Sequence, residues 1–312
     1  MSDWECRPVP FKYRLSDWTL FAVSLRLQVR MANLFDETPP VTAPVLPADE
    51  LMEGSQGFLI RGLRIASELP TLSRTGPFLT YVPLQYQHCY IDLSQSFESY
   101  GKSFSSKTRS TIHRKLRKYA DHCGGSIPWK TFKAPGEMRD FFRLARVVSK
   151  LSYQERLLDA GIPDSEEFIH QAELLAADGH VRAYILFDRE RPVSYLYCPV
   201  KDGILIYAYL GYDPDYMKMS VGTILQWLAV EQMFKENCFR YFDFTEGQSD
   251  HKRLFATHQL KCANVFLVKR TLRNRAVIHS HLFMDRVSRW LGAMLDLWGL
   301  KARVRRFLRF AR

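Results

Sequence analysis

Hydrophobic and polar positions follow two rhythms along this chain, and the change of rhythm marks its central elements. The run Ile204-Leu205-Ile206-Tyr207-Ala208-Tyr209-Leu210 is β-branched and aromatic and predicts a buried strand, which Gly211-Tyr212-Asp213-Pro214 ends with turn chemistry. Val221, Ile224, Leu225, Leu228 and Phe234 then recur at helical spacing up to Glu236-Asn237, with Ser220 as the expected N-cap. Phe239 to Phe244 predicts a second strand, breaking at Thr245-Glu246-Gly247 into a loop that carries Asp250, His251 and Lys252. A strand–helix–strand unit of this kind exposes a helix N-terminus beside strand ends. The N–H groups of Ser220, Val221, Gly222 and Thr223, with Gly222 allowing close backbone approach, form a seat for a phosphate-bearing ligand.

The rest of the chain is read by the same two periods. Residues 1–32 mix aromatics with Arg14, Arg26 and Arg30 in no clean period and receive no assignment. The proline-rich stretch from Thr38 to Gly57 reads as a linker or exposed loop. Phe58 to Leu69 predicts a strand leading into a short helix, Gly76 to Leu84 a turn and a strand, and Tyr90 to Leu93 a further short strand. From 94 to 122 a helix is expected, with Phe104, Thr108, Ile112, Leu116 and Tyr119 on one face. Trp129 to Phe132 is extended, Phe141 to Ala160 helical, and Ser165 caps a helix that ends at Asp178-Gly179. Val181 to Phe187 and Pro192 to Val200 join the strand beginning at Ile204 in an antiparallel meander, and Asn264 to Val268 is the last strand. His279 to Arg312 reads as a helix with Phe283, Val287, Trp290, Leu291, Met294, Leu295 and Trp298 apolar and arginines gathered at its end.

Composition narrows the class. With 312 residues and 46% hydrophobic content the chain can bury a real core. No apolar run approaches a membrane span, and Asp3, Glu5 and Arg7 precede any apolar run, which is not a signal-peptide layout; the expected location is the cytoplasm. The six cysteines are widely spread with no CxxC pair and read as reduced packing residues. The net charge of +11 is uneven: seven Lys/Arg and no acids lie between Lys102 and Lys118, and twelve Lys/Arg face only Asp285 and Asp296 between Lys269 and Arg312. Two basic patches on an otherwise acidic body point to localised anionic partners.

The order of elements, a helical stretch, three antiparallel strands, helix, strand, loop and strand, is α+β. It resembles a GNAT acyltransferase domain. Phe97-Glu98-Ser99-Tyr100, Ser105 to Ser110, Tyr153 to Leu158, Gly211-Tyr212-Asp213-Pro214, Ser220-Val221-Gly222, and Asp243 to Gly247 with Lys252 narrow the resemblance to the CelD/BcsL-like acetyltransferases associated with cellulose biosynthesis. The similarity runs over residues 58–275. It implies a GNAT-like acyl-CoA N-acyltransferase fold, a mixed central sheet with flanking helices, in which 58–150 is a degenerate first half and 151–275 the catalytic half, a tandem arrangement like that of FemAB proteins. Residues 1–57 are then an N-terminal extension and linker, and 276–312 a basic amphipathic C-terminal helix.

The resemblance also implies acetyl-CoA or another acyl-CoA as co-substrate, its pyrophosphate on the N–H groups of Ser220, Val221, Gly222 and Thr223. The broader GNAT motif carries an Arg or Gln ahead of two small positions; here only Gly222 is a glycine, and Val221 stands where the narrower family often has proline. A capped core helix without a ligand is the competing reading. Acyl transfer needs a base for the acceptor and a group that stabilises the oxyanion or departing thiolate. Asp243 is the first candidate base, or else a structural carboxylate bonded to the loop through Gly247; Glu246 is a second base. Lys252 is a candidate oxyanion stabiliser, and a Lys after such a loop also resembles FemAB-type peptidyltransferases. Tyr209, with Tyr212 and Tyr153, is a candidate acid for the thiolate, although tyrosines in strands commonly pack.

No metal is expected, since His258 with Cys262 and His279 with His281 lack further ligands. His88-Cys89 and His122-Cys123 are adjacent in sequence only and read as chance. Gly101-Lys102-Ser103 is not a P-loop, because Ser96 stands where its first glycine is required. The expected acceptor is an envelope glycan or its lipid-linked precursor; the C-terminal helix is expected to pack against the domain, with an anionic inner-membrane surface as the alternative that suits such an acceptor. Two rivals remain: a FemAB-like transferase that holds an aminoacyl-tRNA through the basic helix at Lys102 to Lys118, and a non-catalytic GNAT-fold adaptor of the polysaccharide machinery.

Overall fold

The structure is a computed structural model that describes residues 4–15, 18–36, 38–42, 50–151, 161–247 and 249–297. In chain order its strands are β1 (Glu5–Leu15), β2 (Trp18–Met31), β3 (Gly57–Arg64), β4 (Leu72–Thr75), β5 (Phe78–Asp92), β6 (Trp129–Phe132), β7 (Val181–Asp188), β8 (Arg191–Lys201), β9 (Ile204–Ile206), β10 (Tyr209–Tyr212), β11 (Tyr241–Asp243) and β12 (His258–Lys269). Its helices are α1 (Phe97–Ser103), α2 (Ser106–His122), α3 (Met138–Leu151), α4 (Glu166–Ala177), α5 (Val221–Glu236), α6 (Asp250–Phe255) and α7 (Leu272–Leu297). They form two compact units, one made of 1–86 with 261–312 and the other of 87–260. These boundaries cut across the linear halves drawn from the sequence at 58–150 and 151–275.

The unit of residues 87–260 is built on a mixed sheet. The end of β5 pairs antiparallel with β11, β11 runs parallel to β9, and β9, β8, β7 and β6 continue antiparallel. Strand alternation sends Tyr184, Leu186, Leu196 and Cys198 to a core shared with α1, α2 and α5, and Ala183, Ile185, Tyr195 and Tyr197 to a second core under α3 and α4. Each fully buried large side chain, such as Phe242 or Leu225, contributes about 1.5–3 kcal/mol. Local chemistry sets the helix starts: Ser96, Ser105, Ser165 and Ser249 each accept the backbone N–H three residues on. The expected helix over 94–122 is therefore two, because Ser105 takes extended geometry to cap the second.

Three further expectations are corrected around the centre. The strand over 204–210 is divided at Tyr207-Ala208, and Gly211-Tyr212 belongs to β10 instead of to a turn. Against β8, Leu205 pairs with Val200 but Tyr209 pairs with Tyr197, so the strand carries one residue more than its partner between those points. This is a β-bulge, which bends the strand and frees Tyr207 N–H to bond Asp243 O at 2.8 Å. Asp213 caps a short 3₁₀ turn, Pro214–Met219, and Ser220 sits in left-handed geometry (φ 58°) with no side-chain capping bond. The stretch with Asp250, His251 and Lys252, read as a loop, is α6.

In the other unit, β1 pairs antiparallel with β2, β2 parallel with β3, and β3 antiparallel with β12, while β4 lies on the start of β5. Residues 5–31, unassigned from sequence, thus form a long antiparallel pair. Leu25, Leu27 and Val29 of β2 share a core with Phe11, Tyr13, Tyr81, Val277, Ile278 and Leu282. No helix follows β3, where Ile65 bridges to Val41 instead. The strands expected over 76–84 and 90–93 are one strand, β5. The expected helix over 141–160 begins at Met138 and ends at Leu151, with 152–160, including Tyr153, outside the described residues; so are Trp298 to Arg312.

Candidate active site

Asp243 closes β11, and two donors fix one of its oxygens. His88 Nε2 lies 2.5 Å from Oδ1, and Thr245 N–H donates to the same atom at 2.7 Å. The second bond is an Asx-turn made possible by Thr245 at φ 61°. The first follows from register. Asp243 stands opposite Tyr90 on β5, so His88 is the diagonal neighbour two residues away on the same face. His88 is buried and Asp243 nearly so, with 15% of its side chain exposed. Oδ2 makes no hydrogen bond among the described residues. The loop bond expected through Gly247 comes instead from Thr245.

Lys252, on α6, turns back over that loop. Its Nζ donates to Glu246 O at 3.0 Å and reaches Thr245 O at 3.5 Å, leaving one ammonium proton uncommitted by these contacts. The ammonium also lies 6.0 Å from the centre of the Tyr207 ring. Burial pushes the Lys252 pKa down, opposed by the negative charges of Asp243, Cys89 and Glu246. Burial raises the Cys89 thiol, opposed by Lys252 and Arg253. His251, beside Lys252 on the same helix, is held down at about 4 by burial and by the charges of Lys115 and Lys252, and its Nε2 has no partner among the described residues.

Of the four catalytic candidates, three are thereby gathered: Asp243, Lys252 and Glu246. Tyr209 is elsewhere, its ring packed with Phe168 and Tyr197 on the α3/α4 face of the sheet. Nothing ties its hydroxyl to Asp243. His88 was set aside from sequence because its neighbour is Cys89; its partner is 155 positions away. His88 falls between the strands expected over 76–84 and 90–93, so the sequence reading held no signal for it.

At the helix α5 terminus the four N–H groups are not equivalent. Ser220 N–H bonds Met217 O, and Thr223 N–H bonds Ser220 O at 2.9 Å, so both are committed within the chain. Val221 and Gly222 keep theirs, with no backbone partner among the described residues. A Cβ placed on Gly222 would make ordinary contact with Tyr212 at 3.6 Å and Leu210 at 3.9 Å. Packing therefore does not demand glycine here; its bareness opens the terminus toward β10. A diphosphate fits two converging N–H groups at a helix N-terminus. Among the described residues no group of three His, Cys, Asp or Glu is placed to hold a metal, and no helix is long and apolar enough to cross a membrane.

A mixed sheet with a bulged central strand, a helix N-terminus at the bulge and a carboxylate on the next strand defines an acyltransferase fold of the GNAT type. Residues 106–253 match the family model of the acetyltransferase (GNAT) domain, a span lying wholly within the 87–260 unit. The fold and the enzyme class expected from the sequence are those found. No curated protein matches the chain. Solved structures similar to it include L-PGS from Bacillus licheniformis, 13% identical over 74% of this chain and 72% of that one with a TM-score of 0.44. FemX is 8% identical, covering 85% and 88% with a TM-score of 0.46. A GCN5-related N-acetyltransferase from Kribbella flavida is 10% identical, covering 62% and 62% with a TM-score of 0.33. Likenesses this low decide nothing about the chemistry of this chain.

Proposed function

We propose that the protein moves an acetyl or other acyl group from acyl-CoA to an amine or hydroxyl of a cell-envelope polysaccharide or its precursor. The observation that carries the reading is Asp243, with one oxygen pinned by His88 and Thr245, the other without a hydrogen bond among the described residues, and the Lys252 ammonium held on the loop that follows it. In this reading Asp243 Oδ2 takes the acceptor's proton as its nitrogen or oxygen attacks the thioester carbonyl. Lys252 supports the oxygen that becomes negative, and the carbon–sulfur bond then breaks to release the thiol after protonation. His88 orients the carboxylate. The N–H groups of Val221 and Gly222 would hold the pyrophosphate, with Ser220 and Thr223 shaping the turn. The acceptor class rests on the order of motifs shared with the CelD/BcsL-like acyltransferases.

Calorimetric titration with CoA and acetyl-CoA is the test, paired with turnover read as thiol release. Micromolar binding that Gly222→Asp abolishes, together with a ~10²–10⁴-fold loss of kcat in Asp243→Asn at unchanged CoA affinity, is the expected result. Absence of binding at millimolar CoA removes the reading.

One observation favours an aminoacyl-tRNA donor instead. Lys107, Arg114, Arg117 and Lys118 on α2 are exposed and have no acidic partner among the described residues. Saturable tRNA binding with no CoA binding would select it. A contact with anionic lipid is favoured by α7, where Phe283 and Trp290, seven residues apart on one helical face, are 67% and 61% exposed beside Arg286.

A further inference from the structure

Two clefts in the molecule are rimmed by basic side chains, and their charge balance differs. In the 87–260 unit, the cleft beside α3 and α4 contains Arg139, Arg143 and Arg146, but these pair with Glu166 and Glu173, with Asp140, and with Asp164. Its three arginines are paired internally, which leaves Lys150 as its one cation without an acidic partner among the described residues. In the unit of 1–86 and 261–312, a smaller cleft of about 210 Å³ has Leu72 and Leu79 as its apolar wall and Arg74, Arg270, Arg275 and His279 around it. No carboxylate lines it. Arg74, Arg270 and Arg275 are exposed and have no acidic partner among the described residues.

The local sequence deepens that imbalance. Arg273 and Arg275 stand in the first turn of α7, which has no acidic residue, although the positive end of a helix dipole disfavours cations. Thr271 caps this turn through its side chain to Asn274 N–H and its carbonyl to Arg275 N–H. The fold thus holds three guanidiniums around one cleft, close to a helix N-terminus, against their mutual repulsion. An anion placed there would relieve all of these terms at once. Guanidinium forks match phosphoryl oxygens in pairs, and the cleft has room for one or two phosphoryl groups.

We infer that this cleft is a second anion site, separate from the α5 terminus, that takes a phosphate or diphosphate ester. Arg270 and Arg275 bind the phosphoryl oxygens, Arg74 closes the opposite side from β4, and Leu72 with Leu79 excludes water from one face. The inference does not depend on the acyltransfer reading.

The test is calorimetric titration of the full-length protein with inorganic pyrophosphate, using Arg270→Gln with Arg275→Gln, Arg74→Gln alone, and Gly222→Asp. The expected result is saturable binding that weakens about tenfold or more in the double variant, falls in Arg74→Gln, and persists in Gly222→Asp. Thermal melts confirm that these exposed substitutions leave the fold intact. No binding at millimolar pyrophosphate overturns the inference, as does binding lost in Gly222→Asp but kept in the double variant. Two further arms identify the source of the phosphate: UDP-glucose for a soluble diphosphate, and phosphatidylcholine vesicles carrying phosphatidic acid for a lipid one. An arginine-dependent response in either assigns the class, and none in both, with pyrophosphate binding unaffected by the double variant, ends the proposal.

Discussion

His251 is a base kept neutral by its surroundings, and this has a consequence in acid. Its folded pKa of about 4 lies below the ordinary 6.5 because burial and two nearby lysines disfavour the charged ring. Between those values the unfolded chain binds a proton that the folded chain does not. Stability contributed by the neutral ring is therefore present above pH 6.5 and is lost as pH falls toward 4, by about 3 kcal/mol in all. Urea unfolding of wild type and His251→Gln at pH 7.5 and pH 4.5 checks this: the wild type should lose more stability than the variant on acidification. Equal losses would show that another group governs the acid limb. Asp243 and Lys252 were legible in sequence because a carboxylate at a strand end and a lysine after a glycine loop carry their own pattern. His88 was not, because its role comes from the pairing register of β5 with β11, which neither segment encodes alone. Tyr209 failed for a related reason: the bulge decides which face it takes.

Among the elements, β10 depends most on a single position. Gly211 sits with its α-carbon against the Tyr195 ring, and an added Cβ would overlap two ring carbons, one of them at 2.7 Å, and the hydroxyl oxygen at 2.8 Å. Tyr195 is 1% exposed and has nowhere to move. Gly211→Ala should therefore destabilise the fold by about 1–3 kcal/mol, measured as a lower urea midpoint at constant slope, and should disturb the α5 terminus through Leu210 and Tyr212. A neutral effect would mean that Tyr195 repacks freely. The same strand shows why part of the fold was unreadable. Its composition gives the strand, but one surplus residue against β8 is a property of the pair. Ser165 before α4 made that helix legible, whereas Ser249 before α6 and Ser105 before α2 cap helices whose starts the sequence reading missed. β1 was obscured by Pro8 and Pro10, which a strand tolerates only where it lacks a second neighbour, and among the described residues β1 pairs with β2 alone. Val9, Phe11 and Tyr13 do alternate inward within it.

At the scale of the molecule, the two units are interleaved in sequence. A fragment of residues 58–275, the span suggested by motif resemblance, would keep β3 and β12 but lose Phe11, Tyr13, Leu25 and Leu27 on one side and Val277 and Ile278 on the other. Such a fragment should aggregate or bind hydrophobic dyes, whereas residues 87–260 keep both of their own cores. Size-exclusion chromatography and circular dichroism of the two fragments distinguish the cases, and a monomeric, cooperatively melting 58–275 would refute the expectation. The unit boundaries fall inside β5 and β12. As the ribosome extends the chain, β1 to β3 emerge well before β12 and α7, for which they must wait before their core can close. The acyltransferase-like unit is completed in between. Of these elements, β1 to β3 are thus the ones longest without their partners, and during synthesis their exposed edges are where a chaperone would be needed.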